Sequence, residues 1–180
     1  MTETDLINGC IQKDEASQRR LFELYAGKMM SVCLRFANDQ HEAQDILQES
    51  FIKVFNYIHQ FKFEGSFEGW VRRVFISVAT RHVQKKKIHF KDIDITTDTD
   101  APSIDPSAIA KISEDEIHTL IRQLPDGYRI VFNLNVIEGY SHEEIAHLLK
   151  IQVVTSRTQL LKARKMLQVL IAKQFNIIAA

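Results

Sequence analysis

Between Ser141 and Leu167 the chain reads Ser-His-Glu-Glu-Ile-Ala-His-Leu-Leu-Lys-Ile-Gln-Val-Val-Thr-Ser-Arg-Thr-Gln-Leu-Leu-Lys-Ala-Arg-Lys-Met-Leu. These are two stretches of helical periodicity separated by a turn too short to do anything but cross them. Ser141 is placed to cap the first helix, and Glu144 three residues on closes a capping box. Ile145, Ala146 and Leu149 form its apolar stripe, and Lys150 to Gln152 make the turn. The second helix buries Leu160, Ala163 and Leu167, leaving Gln152, Val153, Arg157, Thr158 and Lys162 on a different face. The pattern is a helix-turn-helix, in which the second helix is the one that enters a major groove, so DNA is the partner to expect.

Helical spacing recurs almost throughout, as in Leu21, Leu24, Tyr25 and in Ile46, Phe51, Val54, Phe55, and no strict alternation requires a strand. The expected fold class is all-α. Thr96 to Ser107 is polar and acidic and carries Pro102 and Pro106, a stretch unable to bury a core. It is read as a flexible acidic linker over residues 93–112 between two small helical domains, 1–92 and 113–180. In the second, one helix ends near Leu124 before Pro125-Asp-Gly127, another runs from about Tyr128 to Glu138, and Gly139 suits a left-handed cap before the helix-turn-helix. That makes a four-helix unit with the basic helix last.

Net charge is zero, with 23 Lys plus Arg against 23 Asp plus Glu, which taken alone argues against a nucleic-acid partner. The distribution reverses that argument. Residues 69–91 carry Arg72, Arg73, Arg81, Lys85, Lys86, Lys87 and Lys91 with no acid, and residues 150–180 carry Lys150, Arg157, Lys162, Arg164, Lys165 and Lys173 with no acid. Two separated polyanion contacts are expected. No apolar run approaches the ~20 residues of a membrane span, and the N-terminal Met-Thr-Glu-Thr-Asp is not a secretory signal, so a cytoplasmic chain is expected. Cys10 and Cys33 have no metal-ligand companions and read as small core residues, and no cofactor or metal is expected. There is no Gly-rich phosphate loop and no nucleophile with a base nearby, so no catalytic residue is assigned.

Phe61, Phe63, Phe67 and Trp70 are interleaved with Lys62, Arg72 and Arg73, which supplies rings for unstacked bases and cations for a backbone. The same spacing of Phe67, Trp70 and Val74 also suits a domain core. In the helix-turn-helix, Gln152 and Arg157 can reach purine edges, Val153 or Val154 can meet a thymine methyl, and Arg164 and Lys165 are placed for phosphates.

The order of Glu42 to Phe55, Phe61 to Val74, Leu124-Pro-Asp-Gly-Tyr-Arg129, Glu138-Gly-Tyr-Ser141 and Glu144-Ile-Ala146 resembles bacterial RNA polymerase sigma factors of the extracytoplasmic function type. The resemblance implies a region 2 that docks on core RNA polymerase and reads and melts the minus-10 element, and a region 4 that reads the minus-35 element. It implies that Asp45, Gln48, Glu49 and Lys53 meet the clamp helices of the largest polymerase subunit, where spacing alone reads as a solvated helix face. It implies minus-10 contacts from Lys62, Phe63, Ser66, Phe67, Arg72, Arg73, Lys85, Lys86 and Lys87, with a base captured by the loop from Lys62 to Gly69. For the minus-35 element it implies Gln152, Val153, Thr155, Arg157, Thr158, Lys162, Arg164 and Lys165. Promoter DNA is the second partner, and an anti-sigma factor is a third that the resemblance allows.

Four departures from the family pattern bear on detail. Lys150 stands where the turn usually has glycine, and Val153-Val154 replaces a polar or small pair. Ser77 and Arg81 stand where Asn and Asp are common. Beside the sigma-factor reading stands a free-standing helix-turn-helix regulator, which would bind its operator without polymerase.

Overall fold

Every regular element that the computed structural model describes, over residues 2–86 and 112–175, is helical, as the periodicity requires. The chain divides into two units, Met1–Lys86 and Lys87–Ala180. Lys87 and residues 93–111 of the expected linker lie outside the described residues. Ile112, expected as the last linker residue, is buried, so packed structure in the second unit already includes it.

In the first unit, side-chain oxygens start each α-helix by accepting orphan backbone N–H groups. Thr2 forms a capping box with Asp5 on α1 (Glu3–Ile11). Asp14 accepts from the Ser17 N–H at 2.8 Å on α2 (Glu15–Phe36), and Asp39 accepts from the Glu42 N–H at 2.8 Å on α3 (Gln40–Tyr57). A 3-10 turn, Ile58–Gln60, ends α3, and Ser66 caps α4 (Phe67–Lys85). Helices α2, α3 and α4 pack pairwise and α1 lies on α2. Their shared interior holds Leu21, Met29, Ile46, Val54, Val71 and Phe75, and burying each such side chain contributes about 1.5–3 kcal/mol. Phe51 stands edge-on to Phe75 at 5.2 Å between centroids, the arrangement ring quadrupoles favour. Cys10 and Cys33 are both buried and free, as expected of core residues. Burial pushes the Cys10 thiol up to about 11 and the Cys33 thiol up to about 12.

The second unit begins with α5 (Glu114–Arg122), capped by a Ser113–Glu116 box. The next helix, α6 (Asp126–Phe132), starts two residues before the expected Tyr128. Asp126 sits in its first turn, where the helix dipole favours an acid, and accepts a bond from the buried Arg129 at 2.8 Å. Its continuation, Asn133–Ile137, is a π-helical turn closed by the Glu138 N–H on the Asn133 carbonyl at 3.0 Å. Gly139 follows with φ of 76°, the left-handed conformation expected of it. Helices α7 (His142–Leu149) and α8 (Val153–Phe175) complete the unit. Leu120, Ile121, Leu124 and Tyr128 meet Ala163 and Leu167 of α8 in one apolar cluster.

Candidate nucleic-acid interface

In the second unit the helix-turn-helix is fixed by its own sequence. Ser141 and Glu144 form the expected capping box, and Ile145, Ala146 and Leu149 are buried. Lys150 adopts φ 56° and ψ 44°, so the position where glycine is usual is left-handed here and occupied by lysine. The Ile151 N–H then returns to the Ala146 carbonyl at 3.0 Å, which closes the turn. A hydrogen bond of 2.9 Å joins His142 Nδ1 to Ser156 Oγ, tying the start of α7 to the start of α8. Ser156 has no exposure, so this bond also satisfies a buried hydroxyl. Sequence reasoning missed the clamp, although the i, i+4, i+7 spacing of Ser156, Leu160 and Ala163 is the signal that could have placed Ser156 on the buried stripe.

On α8 the buried side is Ser156, Gln159, Leu160, Ala163 and Leu167. Arg157, Arg164 and Lys165 are exposed on the opposite side, with Gln152 exposed just before the helix. Thr155, Thr158 and Lys162 are half-buried at its margins, and Thr158 Oγ1 donates to the Val154 carbonyl at 3.0 Å. The valine pair splits: Val153 is half-buried, whereas Val154 is 67% exposed. Arg157 lies 3.6 Å from Glu143 in a solvent-exposed ion pair, a weak restraint that leaves the guanidinium available.

In the first unit, the four polar residues expected on one docking face of α3 divide between two. Asp45 and Gln48 are exposed and share their stripe with Ile52, which is 61% exposed. Ile52 was not singled out from the sequence, yet it stands outside the stripe of Phe51 and Val54 that defines the core, which is the signal that marks it. Glu49 turns toward α4, where its carboxylate meets His82 Nε2 at 2.8 Å and Arg81 at 3.7 Å. The hydrogen bond with His82, above all, holds the Glu49 carboxyl below its ordinary pKa. Lys53 is half-buried beside it, and burial followed by the nearby Arg81 charge depresses its ammonium pKa. With Tyr57, Trp70, Arg73 and Arg81, Lys53 lines an open groove between α3 and α4.

The loop before α4 carries the exposed aromatic. Phe63 is 49% exposed and has φ of 58°, a left-handed conformation that a bulky side chain adopts only under constraint. Gly65 follows with φ of 79°, and Ser66 accepts the Gly69 N–H at 3.2 Å to start the helix. Lys62 is exposed beside Phe63. Phe67 does not join them. At 1% exposure, stacked on Trp70 at 5.8 Å and edge-on to Tyr25 and Phe61, it is a core ring with no face open to a base. Trp70 is half-buried, between the two readings its spacing allowed. Along α4, Arg73 and Lys85 are exposed and Arg72 is half-buried. Lys86 pairs with Glu42, so its charge is partly neutralised within the protein. Lys87 lies outside the described residues.

One unit bearing a helix-turn-helix with a cationic outer face, and another bearing a strained aromatic loop beside a basic groove, define a helical DNA-binding protein. Residues 21–88 match the family Sigma-70 region 2, and residues 114–167 match Sigma-70, region 4. The chain is 28% identical over 170 residues to the RNA polymerase sigma-H factor of Pseudomonas aeruginosa, covering 86% of this chain and 88% of that protein. It is 27% identical over 183 residues to the ECF RNA polymerase sigma-E factor of Haemophilus influenzae, covering 93% and 94%. Among solved structures it shares a fold with the sigma factor RpoE, co-crystallised with the anti-sigma factor NepR, from Bartonella quintana. The TM-score is 0.51 at 16% identity, over 84% of this chain and 94% of that one. The chain belongs to the sigma-70 family of RNA polymerase sigma factors.

Proposed function

We infer that the chain is an alternative sigma factor: it binds core RNA polymerase, directs it to promoters with minus-35 and minus-10 elements, and assists their opening. The observation that carries this is the presence of both family regions, region 2 over residues 21–88 and region 4 over 114–167, in one chain. A free-standing regulator would need the helix-turn-helix alone, so the region 2 match disfavours it. In this role the chain selects and positions, and the catalysis belongs to polymerase. It works in the cytoplasm with polymerase and DNA.

The stripe of Asp45, Gln48 and Ile52 on α3 supports docking on the clamp helices of the largest subunit, since it combines two polar groups with an unburied aliphatic. Glu49 and Lys53, turned toward α4, act there as supports of the face rather than as its centre. Phe63 and Lys62 support capture of an unstacked base, which lowers the net cost of melting because stacking lost in the duplex is regained on protein. Arg72, Arg73 and Lys85 serve the adjoining phosphates. At the minus-35 element Gln152 and Arg157 read purine edges, Thr155, Thr158 and Lys162 flank them, and Arg164 and Lys165 hold phosphates. An anti-sigma factor, as in the RpoE complex with NepR, is a partner that could occupy these surfaces.

Run-off transcription tests the reading. Core polymerase plus the chain is expected to start at a defined promoter that core alone does not use, and Asp45→Arg is expected to abolish this while leaving both units folded. Unchanged start-site choice on adding the wild-type chain would refute the function.

A further inference from the structure

We propose that Val154 is a specificity-determining residue that reads the C5 methyl group of one thymine in the minus-35 element, so that promoter affinity depends on that methyl. The proposal rests on the reading of α8 as the minus-35 recognition helix and adds the chemical group it recognises.

Val154 is 67% exposed, the most exposed large apolar side chain among the described residues. It is the second residue of α8, in the N-terminal turn that reaches base edges in helix-turn-helix complexes. At about 100° per residue, Arg157 and Leu161 lie within about 60° of it around the helix, and Arg164 continues the same side. The stripe thus alternates apolar and cationic groups and contains no acid. An apolar protein groove would supply no further anionic partner for those guanidinium groups beyond the surface pair of Arg157 with Glu143. A duplex major groove supplies both chemistries, phosphates for the cations and the thymine methyl as an apolar group among base edges.

The side chain is also pre-organised. A β-branched residue in a helix has one strongly preferred rotamer, so its two methyl groups project in a fixed direction and lose little freedom on contact. The Thr158 hydroxyl bonds to the Val154 carbonyl at 3.0 Å, and the His142–Ser156 clamp holds the same turn to α7. Val153, the residue of the pair first assigned to the interface, is half-buried on a neighbouring stripe and does not present its methyl groups in this way.

Deoxyuridine differs from thymidine only by that methyl, which makes the test chemical rather than merely mutational. Holoenzyme affinity is measured on a cognate promoter in which each minus-35 thymine is replaced in turn by deoxyuridine, for wild type and for Val154→Ala. Alanine is the better helix former at an exposed site, so the variant keeps its fold. Loss of one methyl contact is expected to weaken wild-type binding about fourfold at one thymine and to have no effect at that position in the variant. The proposal is overturned if no thymine shows the penalty in wild type, or if the variant keeps it in full. Replacing whole minus-35 base pairs serves as the separate arm: indifference to those changes sinks the recognition-helix reading itself, whereas sensitivity to base pairs without sensitivity to the methyl sinks only the role of Val154.

Discussion

At the residue scale, two side chains do opposite things with the same helix-turn-helix. Lys150 spends free energy: held left-handed in the turn, an L-residue is disfavoured by about 1–2 kcal/mol, while glycine would return part of that gain through the entropy of the unfolded chain. Lys150→Gly is therefore expected to stabilise the protein by about 0.5–1 kcal/mol, read as a higher urea midpoint at an unchanged slope. An unchanged or lower midpoint would show that Lys150 contributes something compensating. Arg157, by contrast, is exposed with only a surface ion pair to Glu143. Arg157→Ala should cost about 1–3 kcal/mol at one minus-35 base pair and relax preference there, whereas Lys165→Ala should weaken all sequences alike. Equal losses on every sequence would remove Arg157 from the base-reading set. The two thiols give a simpler check: with burial raising both pKa values, neither Cys10 nor Cys33 should react with a thiol reagent near pH 8 until the protein is unfolded.

At the element scale, α3 shows how far periodicity carries and where it stops. Its core stripe of Ile46, Phe51 and Val54 was readable because a 3.6-residue period sorts apolar residues without reference to neighbours. The division of its polar residues was not, because whether Glu49 faces solvent depends on His82 and Arg81, 33 and 32 positions later on α4. The same holds for Phe67, whose spacing fitted both a base platform and a core, and whose burial was decided by Tyr25 and Phe61. The link between α3 and α4 has a pH signature. Because the folded-state pKa of Glu49 lies below its usual 4.5, its contribution to stability is present above that value and is lost as pH falls through the folded value. Urea midpoints of wild type and Glu49→Gln should thus differ at pH 7 and draw together as pH falls below the ordinary carboxyl range. A difference independent of pH would mean that the carboxylate charge is not what holds the pair.

At the scale of the whole molecule, two helical units and their all-α class were legible from a run of polar, acidic, proline-bearing sequence set between periodic segments. The zero net charge was uninformative because basic and acidic residues are segregated along the chain, and polyanion binding depends on the local pattern. Since each neutralised phosphate adds about 0.9 to the salt slope on duplex DNA, promoter binding by the holoenzyme should weaken steeply with salt. Substituting Arg164 and Lys165 together should reduce that slope by about 2. The central claim is that these two units read DNA as a subunit of polymerase. It is tested most directly by a mobility-shift measurement on one promoter, with and without core enzyme. The account predicts weak binding by the chain alone and a tight, sequence-specific complex once core polymerase is added. Tight specific binding by the chain alone, unchanged by core polymerase, would contradict it.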